Sequence, residues 1–576
     1  MSYEIPQELE YKEKIIFGLT FKQLFYALIF APFIIIILFK SPFSTTVKVA
    51  LSLIPCSIAC IFMFTGIPKR FLNWYKWLSF RNFTLMDKGM KYFLNLDKIE
   101  KDILHLKKNK LSIIKVEPIN FSIKNEKEKE SIISSFQKFL NSLDFPIQII
   151  IATDSLNLDY YLNKLEERVE KTKNESYFTL FNDYKKYLQD MINSQGLLNR
   201  SFYLIIPEKQ NIGLNIQVGV CEELLKNMNL KHKRLKDEEL MQCLSGFFND
   251  LYEDDDKKQG VEEKDYLHYY VAPKEIINYP NEIKTGDKIT RTIAVKNYPR
   301  LVEEGFLDKI VTLNGDFDLS IHIDPYPIET MMVMLNKELQ KQRGDLWSME
   351  NKGIINPSLE IKFKDTRSVL ENLQKGNEKL FNVSLYITCK GKNLEELDLL
   401  SKKLESELNS LMMIPHKPTY EMHKGIKSTI PLGINELKIK RNITTKPLSA
   451  FFPFTSQFLE IDEEGVWLGL NRNNIPIIKD IFKLHNANGL VLSSSGGGKS
   501  YWTKITISRL LLNGTKVMVI DPQCEYTDLV KKFNGELITI SRTSNTIINP
   551  LDLMGHDYDE KKLTLLDLLR SLLICF

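Results

Sequence analysis

The sequence predicts an α/β protein in three parts. These are an N-terminal transmembrane helical hairpin, a mixed α+β middle, and a partial doubly wound sheet at the C-terminus. Three observations carry this reading. Two apolar runs lie at 24–39 and 49–67. Strand-like and helix-like patterns share the stretch 91–447. The segment LVLSSSGGGKS, residues 490–500, joins a short apolar run to a helical pattern through a Ser/Gly loop.

The two apolar runs each approach the roughly 20 residues needed to cross a hydrocarbon core. Pro32 interrupts the first, which a membrane helix tolerates better than a soluble one. Glu4, Glu8, Glu10 and Glu13 precede it, so it does not read as a signal peptide. The short link at 40–48 makes the pair a hairpin. Lys12, Lys14 and Lys22 lie before it, and Lys69, Arg70, Lys76 and Arg81 after it, whereas the link holds only Lys40 and Lys48. That basic excess predicts a multi-pass cell-membrane protein with both termini and the bulk in the cytoplasm. Trp74, Trp77 and Phe80 follow at helical spacing, as an interfacial anchor would. Cys56 and Cys60 share one face of the second run and read as packing residues.

The middle divides by pattern into 91–265 and 266–447, after a membrane part at 1–90. Strands are predicted at 111–116, 146–152 and 202–206, and helices at 128–143 and, long and charged, at 158–191. The acidic run Glu253-Asp254-Asp255-Asp256 reads as a solvated loop. Beyond it, strands are predicted at 288–295, 316–323 and 382–388, with helices at 328–342, 365–374 and 394–411. No catalytic constellation appears, and no tandem repeat of solenoid type.

From 448 the pattern changes. A β-hairpin is predicted from 465 to 478 with its turn at 471–474. The Ser/Gly loop follows, then a helix at 499–512 closed by Asn513-Gly514. Strands at 516–520 and 536–540 flank a helix at 526–533. This alternation is the signature of a doubly wound sheet, whose ligands lie outside the carboxyl ends of the strands. The chain reaches Phe576 inside an apolar helical run, without a later strand ending in Asp-Glu, so the domain at 448–576 is expected to be incomplete.

The loop carries the chemistry. Small residues let backbone N–H groups turn inward around phosphate oxygens. The following helix adds unpaired N–H donors and a positive dipole end. The candidate nucleotide-binding set is Ser494, Ser495, Gly496, Gly497, Gly498, Lys499, Ser500 and Tyr501. Lys499 would reach the β- and γ-phosphates of ATP as the catalytic cation, and the Ser500 hydroxyl would hold Mg²⁺. Ser493 stands where the usual pattern has its first glycine. Asp521, ending the apolar run VMVID, is a second, weaker Mg²⁺ candidate.

Composition excludes other classes. The 576 residues carry 77 basic and 73 acidic side chains, a net +4, which gives no global argument for nucleic-acid binding. The seven cysteines lack paired spacing, so neither a disulfide framework nor a zinc site is indicated.

The string from LVLSSSGGGKS through Asp521-Pro522, Glu525-Tyr526 and Ile548-Asn549-Pro550-Leu551-Asp552 resembles the assembly ATPases of type IV secretion and bacterial conjugation, the VirB-four-like (TraE/TrbE/CagE) group. INFSIKNE and FLNSLDFPIQI, within 119–149, are similar to the start of that group's N-terminal domain. IPQELEYKEKIIFGLTFKQL, residues 5–24, resembles PrgI-type membrane proteins. The resemblance implies a RecA/HerA-FtsK-like P-loop domain that binds ATP and Mg²⁺. It also implies a homo-oligomer, a hexamer when complete, and inner-membrane channel proteins of a conjugation machine as partners, with the lipid bilayer as anchor. It identifies no direct DNA contact. It reaches nucleotide binding but not hydrolysis. A subunit powering channel assembly or substrate transfer and a membrane-anchored scaffold without turnover both remain open.

Overall fold

The computed structural model describes residues 2–539 except 7–13, 17–18, 80–81, 85–89, 91–92, 108, 122, 156–157, 173, 196–197, 209–212, 249–265, 274, 352, 354, 457–461, 463 and 471–475. Outside the described residues therefore lie Phe80, the acidic run at 253–256, the turn at 471–474, the 548–552 motif and the apolar run approaching 576. The chain divides into two units. The first comprises Met1–Leu156, Gly196–Leu459 and Arg472–Ile475, and the second Asn157–Gln195, Glu460–Asn471 and Pro476–Phe576.

The first unit opens with strand β1 (Ser2–Glu4), paired antiparallel with Leu301–Glu303. Next to it Ile5 is buried and donates its N–H to the Arg300 carbonyl at 2.7 Å. Helices α1 (Phe21–Lys40) and α2 (Thr45–Phe64) each span 20 residues, about 30 Å. Both are long and apolar enough to cross a membrane, and almost none of their side chains are buried. Phe62 meets Tyr26 and Phe30 edge to face at 6.0 and 5.7 Å, so the end of α2 lies beside the start of α1. The expected hairpin is present. Cys56 and Cys60, expected to pack, are instead exposed on the outer surface of α2.

Helix α3 (Ile67–Leu78) follows within a turn, with Pro68 in its first turn. Ile67, Phe71, Trp74, Tyr75 and Leu78 recur at i, i+4, i+7, i+8 and i+11 and are all exposed. Trp77 departs from the expected anchor role. Its indole N–H donates to the Asn278 carbonyl at 3.0 Å and its ring lies 5.6 Å from that of Tyr420. An indole N–H leaving water needs an acceptor, and this one finds it in the protein. Trp74 alone of the pair stays on the exposed stripe. Strand β2 (Asn82–Thr84) then pairs with Glu275–Asn278. Both flanks of the helical hairpin are thus tied to the first unit.

Fourteen strands among the described residues form one antiparallel sheet. Its first half runs β3 (Lys110–Val116), α4 (Glu126–Ser142), β4 (Ile147–Ser155), β5 (Leu198–Pro207), α7 (Leu214–Asn227) and β6 (His232–Arg234). Between β4 and β5 the chain makes a helix pair, α5 (Asp159–Thr172) and α6 (Glu175–Gln195), which belongs to the second unit. The second half runs β7 (Lys288–Asn297), β8 (Phe317–Pro325), the helix pair α8 (Ile328–Glu350) and α9 (Pro357–Gln374), β9 (Leu380–Gly391), α10 (Leu394–Ser410) and β10 (Ile414–His416). The strand order is β6-β3-β5-β4 in one half and β10-β7-β9-β8 in the other. Each half is a split β-α-β arrangement of ferredoxin-like type with a helix pair inserted after its second strand. The two join through β4 and β8, where Ile149 faces Ile321 and Gln148 faces His322. The halves fall on either side of residue 265 and share one sheet. Sequence patterning alone did not show this duplication.

Alternation sends neighbouring residues to opposite faces. Ile149 and Ile151 of β4, with Leu204 and Ile206 of β5, enter a core roofed by α4, α7 and α10. Ile150, Ala152, Tyr203 and Ile205 enter a second core on the other face. Burial on both faces explains the near-continuous apolar runs of these strands.

The second unit contains α5, α6, a β-hairpin of β11 (Val466–Leu470) and β12 (Pro476–Lys479), α11 (Lys499–Leu512) and α12 (Thr527–Lys532). The helix expected over 158–191 is two helices. Asn174 divides them, its side chain accepting the Ser176 N–H at 3.0 Å. Residues 490–492, 516–520 and 536–539, expected as strands, carry no strand pairing in the described residues. Leu490, Leu492, Met518 and Ile520 are 81, 82, 93 and 93% exposed.

Candidate nucleotide-binding site

The Ser/Gly loop enters α11 through two left-handed residues, Gly496 at φ +77° and Gly498 at φ +82°. Only glycine adopts this conformation without strain, and nothing lies within 4 Å of where a Cβ would stand at either. Gly497 is glycine for a different reason. A Cβ there would approach the Ser493 hydroxyl oxygen to 2.5 Å and the Ser494 carbonyl to 3.1 Å. The loop closes on itself, with the Gly497 N–H donating to the Ser494 carbonyl at 3.0 Å.

Ser493 fits in place of the expected glycine because it is outside the left-handed region. Its hydroxyl turns back to the Ser494 carbonyl at 2.8 Å. Ser494 and Ser495 lie on the exposed approach to the turn, and Lys499, Ser500 and Tyr501 form the first turn of α11. Lys499 and Tyr501 are exposed and Ser500 is half-buried. The first N–H groups of a helix have no intrahelical acceptor. Loop and helix end therefore bring backbone donors, one ammonium and one hydroxyl together within one short segment. This donor set suits a polyphosphate with its divalent cation.

Asp521 is placed differently. Its two carboxylate oxygens accept the N–H groups of Gln523 at 3.2 Å and Tyr526 at 2.9 Å. The carboxylate closes the turn that leads into α12.

A second cluster fixes α11 from behind. The Arg509 guanidinium lies 4.0 Å from the Trp467 ring centroid and 5.6 Å from that of Tyr184, and donates to the Trp467 carbonyl at 2.6 Å. Tyr184 and Tyr187 of α6 stack on Trp467 at 6.1 and 5.4 Å. The Tyr184 and Tyr161 hydroxyls meet at 3.1 Å. Burial pushes Tyr184 well above its ordinary range and lowers Arg509 below its own. Arg168 of α5 binds Glu464 at 2.8 Å and the Asn513 carbonyl at 3.3 Å. Sequence reasoning did not single out this cluster. Its signal was Tyr177, Phe181, Tyr184 and Tyr187, aromatic residues at helical spacing within a charged helix.

Known families account for three stretches of the chain. Residues 4–96 match the PrgI family protein model, 99–225 the archaeal TraC-like domain and 467–560 the central domain of helicase HerA. The HerA match contains the whole loop, and the TraC-like match contains α5 and α6. None of the curated proteins matches the chain. These matches define a TraC/HerA-type conjugation ATPase class. Together they fit a conjugal transfer ATPase with an N-terminal PrgI-like segment.

Proposed function

We propose that the chain is a membrane-bound, ATP-binding subunit of a conjugative transfer or type IV secretion machine. The carrying observation is the pair of left-handed glycines, Gly496 and Gly498, opening directly onto the α11 N-terminus. Ser494 to Tyr501 supply the main-chain donors, Lys499 neutralises the β- and γ-phosphates, and the Ser500 hydroxyl holds Mg²⁺. Bound Mg²⁺ supplies charge neutralisation at the phosphates.

The hairpin of α1 and α2 crosses the membrane twice. Its two flanks, held by β1 and β2, are tied to the same unit, which supports one side for both. Lys69, Arg70 and Lys76 just past α2 favour the cytoplasmic side. The PrgI-like and TraC-like matches support channel proteins of the inner membrane as partners. The HerA-like match supports a ring of identical subunits, six when complete.

The test is binding of a fluorescent ATP analogue to the full-length protein in detergent, with and without Mg²⁺. Wild type binds, and Lys499→Ala loses at least about tenfold in affinity. Equal affinity in both overturns the assignment. A second reading, a scaffold that binds without turnover, draws on Asp521, whose carboxylate oxygens both accept backbone N–H groups. ATP turnover in the wild type and not in Lys499→Ala would exclude it.

A further inference from the structure

We infer that Arg509 is a positioning residue for the phosphate loop, and that it passes the nucleotide-bound state of that loop to the α5–α6 pair it touches. This rests on the nucleotide-binding reading above and goes beyond it. Arg509 lies ten residues past Lys499, about 15 Å along the same helix. What it does is hold the rod whose first turn carries Lys499 and Ser500.

Among the described residues, little else holds that rod. Along α11 only Leu512 is fully buried, and the extended segments 490–492 and 516–520 carry no ladder. Among the described residues, three side chains of the helix and its C-terminal end donate to one stretch of chain, 464–468, and Arg168 of α5 donates to Asn513. Trp502 donates its indole N–H to the Leu468 carbonyl at 3.1 Å. Arg509 donates to the Trp467 carbonyl. Asn513 donates to the Glu464 and Gly465 carbonyls at 3.0 Å each. The same stretch is also held by the helix pair, through the rings of Tyr184 and Tyr187 on Trp467 and through Arg168 and Lys164 on Glu464. Arg509 reaches across both layers, because its guanidinium meets Trp467 and Tyr184 together. A planar cation held against two aromatic rings and a carbonyl is restrained in orientation as well as distance, which a lysine would not reproduce.

The helix pair is a short-tethered insertion. Three residues separate β4 from α5, and two separate α6 from β5. The equivalent pair of the second half, α8 and α9, instead packs a small aliphatic core of Met331, Leu335, Val369, Leu370 and Leu373. The stacked aromatic contact with a β-hairpin is therefore particular to α5–α6 and not a general property of the duplicated fold.

Hydrogen–deuterium exchange on the full-length protein in detergent tests the relay, using a non-hydrolysable ATP analogue with Mg²⁺. In the wild type, analogue binding slows amide exchange within α6 several-fold. Lys499→Ala loses at least about tenfold in affinity and shows no slowing at the analogue concentration used for the wild type. Arg509→Ala weakens binding by about tenfold and removes the slowing even at saturating analogue. Arg509→Lys restores part of the affinity and less of the slowing. Tyr187→Ala, at an exposed position of α6, retains binding and loses the slowing, which guards against misfolding of the arginine variant. Binding in the wild type with unchanged α6 exchange overturns the relay alone. Arg509→Ala matching wild type in both readouts overturns the positioning role. Absence of binding in the wild type overturns the nucleotide reading together with this inference.

Discussion

The Ser493 hydroxyl occupies the space that Gly497 leaves by lacking a side chain, since a Cβ on Gly497 would come within 2.5 Å of that oxygen. The two positions are therefore coupled. Gly497→Ala forces either the hydroxyl or the loop to move and weakens nucleotide binding by about tenfold or more. Ser493→Gly alone is nearly neutral. The double variant recovers part of the loss, because the closer of the two colliding atoms is gone while the Ser494 carbonyl remains at 3.1 Å. A double-mutant cycle on analogue affinity measures this. Strictly additive effects would show the two residues to be independent.

Asp521 and Ser500 separate the roles that a carboxylate and a hydroxyl play near a bound nucleotide. Both oxygens of Asp521 accept backbone N–H groups, and Asn keeps one carbonyl oxygen for that purpose. Asp521→Asn is expected to leave the Mg²⁺ dependence of analogue binding unchanged while lowering thermal stability by about 1 kcal/mol. Ser500→Ala is expected to reduce the Mg²⁺ enhancement of binding several-fold. Magnesium titrations of the two variants decide the matter, and a shifted Mg²⁺ midpoint in Asp521→Asn would return the carboxylate to the metal site.

Trp74 and Trp77 lie three residues apart on α3 and face different surroundings. Trp77 is bound to Asn278 and Tyr420, while Trp74 shares the exposed stripe with Ile67, Phe71, Tyr75 and Leu78. If the hairpin crosses the membrane as proposed above, the apolar stripe of α3 places that helix in the headgroup region. In vesicles with brominated lipids, a variant retaining only Trp74 is expected to be quenched strongly and one retaining only Trp77 weakly. Equal quenching would show that α3 does not keep its docked face.

Much of this architecture is legible in the chain. The hairpin follows from two uncharged apolar runs, and the loop from glycines placed between an apolar run and a helix. Strands appear as apolar runs because both faces are buried, and that same burial hides what they pair with. Nothing local in PIQIII tells Ile149 to face Ile321, more than 170 residues away. The duplication rests on such long-range pairings and so escapes a patterned reading. Other misses were local and avoidable. Asn356 accepts the Leu359 N–H at 3.3 Å with Pro357 opening α9, an Asn-Pro start signal eight residues before the predicted helix. The roles of Trp77 and Arg509 depend on which acceptor or ring the fold brings near, which spacing cannot state.

His322 gives the first unit an acid sensitivity with a defined sign. Burial pushes its pKa down to about 4, and the neutral ring donates its Nε2–H to the Ser428 carbonyl at 2.7 Å. In the unfolded chain the same imidazole titrates near its ordinary value of about 6.5. As pH falls below about 6.5 the unfolded state takes up the proton first, so stability is complete above that value and is lost progressively down to about pH 4. The loss is about 1.4 kcal/mol by pH 5.5 and on the order of 3 kcal/mol by pH 4. His423, also pushed down to about 4 by burial, adds in the same direction. His322→Gln keeps a donor for Ser428 but cannot take up the proton. Urea midpoints of the full-length protein in detergent at pH 7.5 and 5.5 should therefore differ less in this variant than in the wild type. Parallel pH dependences in the two proteins would show that His322 is not a source of the acid sensitivity.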